Sequence, residues 1–162
     1  MKILKNHFKS GLICTIVLCG GSFTWAQQSN SPLVHYTLNI PDHIDIENQF
    51  TVDIEFNITP GWYIYAPTGT NTELRVIETS VRFTVPEGIV RIGSVTIPQP
   101  ISKDGHEVYE RSVIMTQAFK AFKPGKYMLH GKVVWQTWSS HLCLPPITED
   151  FVNKGMSLGK IA

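Results

Sequence analysis

The sequence predicts an all-β protein, a single immunoglobulin-like β-sandwich. Apolar and polar residues alternate at period two, most clearly in "QFTVDIEFNI" (residues 49–58). Tight-turn dipeptides punctuate the chain, at Pro60-Gly61 and Pro124-Gly125. Beyond the N-terminus no stretch carries an apolar stripe at helical period with capping residues at its ends. Short half-buried strands joined by such turns favour two antiparallel sheets packed face to face, with a small barrel as the alternative.

The N-terminus reads as a leader. Lys2, Lys5 and Lys9 precede the apolar run "GLICTIVLCGGSF", and Ala26 closes "TWA". A basic segment, a short apolar one and a small residue before the cut form a secretory signal. The apolar run is too short to span a bilayer comfortably. Cleavage is expected after Ala26, giving a leader over 1–26, a lead-in over 27–33, a sandwich over 34–152 and a fraying tail over 153–162. A lipoprotein signal at Cys19 is disfavoured, because Leu18 stands where a small residue is needed. The expected location is the periplasm, with no membrane span in the mature chain.

Cleavage removes Cys14 and Cys19, leaving Cys143 as the last of three cysteines. It also removes three of 14 basic residues and none of 13 acidic ones. The remainder is slightly acidic with no Lys/Arg cluster, which argues against nucleic acid and anionic membrane surfaces as partners. An odd cysteine in an oxidising compartment is either a free thiol or a bond between molecules.

The strands follow in order. Phe50, Val52, Ile54, Phe56 and Ile58 share one face of the first strong strand, with Thr51, Asp53, Glu55 and Asn57 on the other. After Pro60-Gly61, "WYIYAP" is extended, so Tyr63 and Tyr65 point one way and Trp62 the other. These rings either pack in a core or cover a site. "SVRFTV" (80–85) stops at Pro86-Glu87-Gly88, and "VRIGSVTIP" (90–98) follows. A polar segment over 99–107 leads to two further strands, "VYERSVIMTQAF" (108–119) and "KYMLHGKVVWQ" (126–136).

Chemistry centres on "VVWQTWSSHLCLPP" (133–146). Free cysteines are commonly buried and inert, which is one reading of Cys143. The polar "SSH" before it and Pro145-Pro146 after it favour an exposed loop, because prolines lack the donors of a central strand and stiffen the chain. His141, two residues away, is a candidate to stabilise a thiolate. No C-x-x-C or H-x-x-x-H spacing exists, and His106 and His130 lie far off, so neither a metal nor another cofactor is expected. Nucleophile elbow and phosphate loop are both missing, and the scattered carboxylates read as solvated strand faces.

Four segments, in order, resemble a known family: "GWYIYAP" (61–67), "VRFTVPEGI" (81–89), "VYERS" (108–112) and "WQTWSSHLCLPPIT" (135–148). Together they are similar to the periplasmic N-terminal domain of the DsbD thiol:disulfide interchange proteins, over about residues 34–152. The most specific element is aromatic-Gln-x-Cys, a short spacer, then Cys-Leu-Pro-Pro. The resemblance implies an immunoglobulin-like sandwich with a cysteine pair at one end. That pair takes electrons from a membrane domain and passes them to periplasmic thioredoxin-fold partners, under a cap loop carrying an aromatic residue. Cys143 corresponds to the second cysteine and Tyr63 and Tyr65 to nearby tyrosines. The cap falls within 98–107, where "PQPISKDGHE" holds no Phe, Tyr or Trp.

Trp138 stands at the position of the first cysteine. Exchange proceeds through a mixed disulfide, which a second thiol of the same protein normally resolves. With a tryptophan there, no internal disulfide forms. The leading expectation is thus an exported, stand-alone module that binds thioredoxin-fold or other envelope proteins without dithiol turnover. Residual chemistry through Cys143, as a mixed disulfide or a linked dimer, is the first alternative. A structural or ligand-binding sandwich with no redox role is the second, since fold does not fix function. The state of Trp138 discriminates: exposed, it would anchor a partner, whereas buried against Tyr63 or Tyr65 it would plug the site.

Overall fold

The computed structural model describes residues 33–159, in which twelve strands and one helical turn are formed. The strands are β1 (Val34–Asn39), β2 (His43–Asp45), β3 (Gln49–Ile58), β4 (Tyr63–Tyr65), β5 (Ser80–Thr84) and β6 (Ile89–Thr96). They continue with β7 (Ile101–Lys103), β8 (His106–Tyr109), β9 (Ser112–Ala121), β10 (Gly125–Trp135), β11 (Thr137–Trp138) and β12 (Ile147–Gly159). The single turn of helix, α1 (Thr70–Glu73), lies between β4 and β5. The expected leader falls outside the described residues. Among those residues no helix is long and apolar enough to cross a membrane.

Two four-stranded sheets, β1-β3-β9-β6 and β2-β12-β10-β5, form the immunoglobulin-like sandwich. Alternation in β3 dictates which face is buried: Phe50, Val52, Ile54, Phe56 and Ile58 point inward. Its antiparallel neighbour matches it, with Phe56 opposite Val113, Ile54 opposite Met115 and Phe50 opposite Phe119. Rings interlock across the interface. Trp135 of β10 meets Tyr36 and Phe56 edge-on, each at 6.1 Å, and Phe83 of β5 meets Phe119 at 5.2 Å. Such edge-to-face pairs add to the gain from burial alone. Gly131 in β10 is required by this packing, since a Cβ there would lie 2.1 Å from the Phe151 ring.

A third sheet, β11-β4-β8-β7, closes one end of the sandwich and positions the candidate site. The turn into it is of type II: Trp62 N–H donates to Thr59 O at 3.0 Å, with Gly61 at φ 85°. Strand β4 serves two cores at once. Ile64 and Ala66, with Trp62 packed beside them, face the sandwich interior, whereas Tyr63 and Tyr65 face a separate cluster with Val108 and Trp138.

Three sequence expectations need correction. "VYERSVIMTQAF" is two strands in two sheets, because the chain swings at Glu110 and Arg111, the latter at φ 63°. The polar segment over 99–107 contains a hairpin, with Ile101 opposite Val108 and Lys103 opposite His106. Its two-residue turn, Asp104-Gly105, has φ of 49° and 81°, as an Asp-Gly hairpin turn requires. The tail does not fray from residue 153, because β12 runs to Gly159 between β10 and the parallel strand β2.

Candidate functional site

Backbone register builds the site. Strand β11 pairs antiparallel with β4, placing Trp138 opposite Tyr63 and Thr137 opposite Ile64. The chain then turns over Ser140-His141 and returns, so that Cys143 lies directly opposite Trp138. Two hydrogen bonds flank the pair, Ser139 N–H to Leu142 O at 2.8 Å and Leu144 N–H to Thr137 O at 2.9 Å. The pair itself exchanges none. It is the narrow type of antiparallel pair, with Cα atoms about 4.5 Å apart. A disulfide spans Cα separations of roughly 4.4–6.8 Å, so a second sulfur at position 138 would be within bonding reach.

Trp138 is 8% exposed. Its ring stacks on Tyr65 with centroids 5.9 Å apart and planes at 8°, and touches Tyr63 at 5.2 Å and His106 at 5.6 Å. Neither Trp138 Nε1 nor His106 Nδ1, both buried, has a hydrogen-bond partner, so ring packing holds this cluster together. Of the two states open to Trp138, the structure has the buried one, against both tyrosines: the indole plugs the space beside Cys143, and any docking there must use other side chains.

The β7–β8 hairpin continues the third sheet on the other side of β4. Its His106 adds a ring to the cluster, packed on Tyr65 at 5.2 Å as well as on Trp138. Lys103 adds a cation over the Tyr63 ring, 4.9 Å from its centroid. The base of the hairpin is tied down by side chains. Tyr109 O–H donates to Pro98 O at 2.8 Å, and burial followed by the Glu107 charge pushes its phenol up to about 12. Asn71, fully buried on α1, donates from Nδ2 to Ala66 O at 2.9 Å and to Glu107 O at 2.6 Å. Its Oδ1 accepts from Glu107 N–H at 3.2 Å.

Cys143, by contrast, is exposed, and it is the only free cysteine among the described residues. Gln136 Nε2 donates to its sulfur at 3.3 Å, and the Tyr65 hydroxyl lies 3.9 Å away. Burial, and after it the Cys143 sulfur, push the Tyr65 phenol far above its ordinary range, so that it keeps its proton. The thiol in turn points towards Leu144 O at 3.9 Å. Trp138, Tyr63, Tyr65 and Cys143 thus come together. His141 stands at the exposed tip, where Nδ1 meets Ser140 Oγ at 2.8 Å. Pro145 and Pro146, also exposed, carry the chain from the bridge into β12.

Sequence reasoning assigned no role to Gln136, Asn71, Lys103 or His106. For three of them a signal existed: Gln136 lies inside the "WQTW" motif, and Asp104-Gly105 marks the hairpin that presents Lys103 and His106. Asn71 has none.

Residues 35–154 match the family described as thiol:disulfide interchange protein DsbD, N-terminal. No curated protein matches the chain in sequence. Among solved structures, the reduced DsbD N-terminal domain of Neisseria meningitidis superposes with a TM-score of 0.51 at 17% identity, covering 77% of this chain and 86% of that one. A complex of the DsbD and PilB N-terminal domains from the same organism gives 0.45 at 16% identity, covering 73% and 81%. The N-terminal periplasmic domain of ScsB from Proteus mirabilis gives 0.48 at 15% identity, covering 81% and 51%. At 17% identity the first of these speaks for the fold alone.

Proposed function

Because the chain belongs to the DsbD N-terminal family, we propose that it is an exported, periplasmic interaction module that docks thioredoxin-fold or other envelope proteins around Cys143 and performs no dithiol turnover of its own. The observation that carries this reading is the Trp138–Cys143 pair. At the position from which a second sulfur would reach Cys143, a buried indole stacks on Tyr65. Such a site can form one bond to a partner but cannot close on itself to release it. The partner's anchor is not Trp138, which is covered. The apolar surface on offer beside the sulfur is Leu142, 53% exposed, with exposed Ile77 bonded through its backbone to Gln136.

A second reading, residual chemistry through Cys143, is favoured by its exposure. In that reaction the Cys143 thiolate attacks a partner's disulfide. One S–S bond forms as another breaks, and the partner's second sulfur leaves as a thiolate that takes up a proton.

One experiment serves both readings. The protein without its leader, Trp138→Cys and Cys143→Ser are each mixed with a disulfide-bonded thioredoxin-fold protein, and disulfides consumed per molecule are counted beside a non-reducing gel. Wild type is expected to consume at most one equivalent, whereas Trp138→Cys closes an internal disulfide and shuttles electrons when a reductant is supplied. Repeated turnover by wild type without an added small thiol would sink the first reading. Absence of any Cys143-dependent adduct would sink the second.

A further inference from the structure

Gln136 is half-buried where β10 gives way to β11, and its carboxamide is held at both ends. Ile77 N–H donates to Oε1 at 2.8 Å, so the oxygen must face the segment that follows α1. Nε2 therefore faces the other way, where it donates to Leu144 O at 3.0 Å and to Cys143 Sγ at 3.3 Å. Turning the amide over would set N–H against N–H and oxygen against oxygen, so the network itself fixes which end meets the sulfur. Both hydrogens of Nε2 are used, one on each neighbour.

We infer that Gln136 is the positioning residue of Cys143, holding its sulfur in one orientation for in-line attack on a disulfide; the inference rests on the thiol chemistry proposed above. An exposed side chain has little packing to select its rotamer. Here the N–H···S contact, at 3.3 Å, does so while the residue stays exposed. The exchange then balances as written above, with the attacked disulfide as the oxidant.

The test uses dithiodipyridine, an uncharged disulfide probe whose released thiopyridone is read by absorbance. Gln136→Glu keeps an acceptor for Ile77 N–H and replaces the donor with a carboxylate. Near neutral pH the variant is expected to react about tenfold more slowly, because a charge-assisted donor is lost and a repulsive charge gained. Below roughly pH 4.3 the introduced carboxyl is protonated and can donate again, so the two rates converge. A loss that is equal at every pH would be a packing effect and would overturn the inference, as would wild-type rates throughout.

Should the variant not fold, the wild-type protein answers by NMR. Methylthiolation of Cys143 is expected to shift one of the two Gln136 side-chain amide protons, and an unmoved pair overturns the inference. A folded wild type that fails to react at all would instead sink the thiol reading itself.

Discussion

The sandwich core and the ring cluster at its closed end are both built on aromatic side chains, but they are held in different ways. Tyr36, Phe56 and Trp135 come from strands of 6, 10 and 11 residues, joined to their neighbours by long ladders. Tyr65, Val108 and Trp138 come from strands of 3, 4 and 2 residues. Ladders this short supply few backbone hydrogen bonds. Side-chain amides make up the deficit: Asn71 ties α1 to β8, and Gln136 ties the segment after α1 to the Cys143 turn. The core is thus a sum of many burials, each replaceable in kind. The site depends on two amides, each bonded to backbone groups of more than one segment.

That contrast makes a ranked set of expectations. Phe56→Ala removes a fully buried ring from the centre of the sandwich and should cost about 3–5 kcal/mol in urea denaturation. The loss should be global, with Cys143 labelling unchanged until the whole domain unfolds. Asn71→Ala comes next, at about 1–3 kcal/mol, because the half-buried Glu107 N–H loses its acceptor while Ala66 O and Glu107 O each lose one donor. Hydrogen exchange should quicken over residues 101–109 and leave β3 and β9 protected. A uniform loss of protection would erase the distinction between the two regions.

The smallest effect is confined to alkaline pH. Burial raises the phenols of Tyr36 and Tyr65, and that of Tyr109 to about 12. Below about pH 10 both folded and unfolded chains keep these protons, so stability is unaffected. Above it the unfolded chain ionises first and binds fewer protons, so stability falls as pH rises through the folded values. Tyr109→Phe should make that fall shallower in denaturation curves taken at successive alkaline pH values. An unchanged slope would mean that Tyr109 ionises freely in the folded state, and that the hairpin base is looser than its bond to Pro98 implies.

Much of the sandwich was legible because its signal is local. The alternation in residues 49–58 states which side chains are inside before any partner strand is known, and the fold places them there. The same logic put Tyr63 and Tyr65 on one face and Trp62 on the other. It failed at Arg111, because the pattern of apolar residues runs through the point where the chain changes sheets. It failed again at the tail, where "NKGMSLG" has weak alternation yet lies along β10. Pairing with a neighbour decided that stretch, whatever its own preference.

For the site the division is sharper. From the sequence alone came the order of the motifs, the single cysteine beyond the expected leader, the tryptophan that the resemblance sets in the place of its partner and the two tyrosines of the neighbouring strand. Only the tertiary structure decided that Trp138 is covered while Cys143 is open, although they face each other across one narrow pair. It alone joined Gln136 to Ile77 across 59 positions and Asn71 to Glu107 across 36. A periodic pattern is written into neighbouring residues, because each strand must bury one face wherever it ends up. A single amide that bridges two distant backbones leaves no pattern, because nothing near it in sequence has to change for the bond to form.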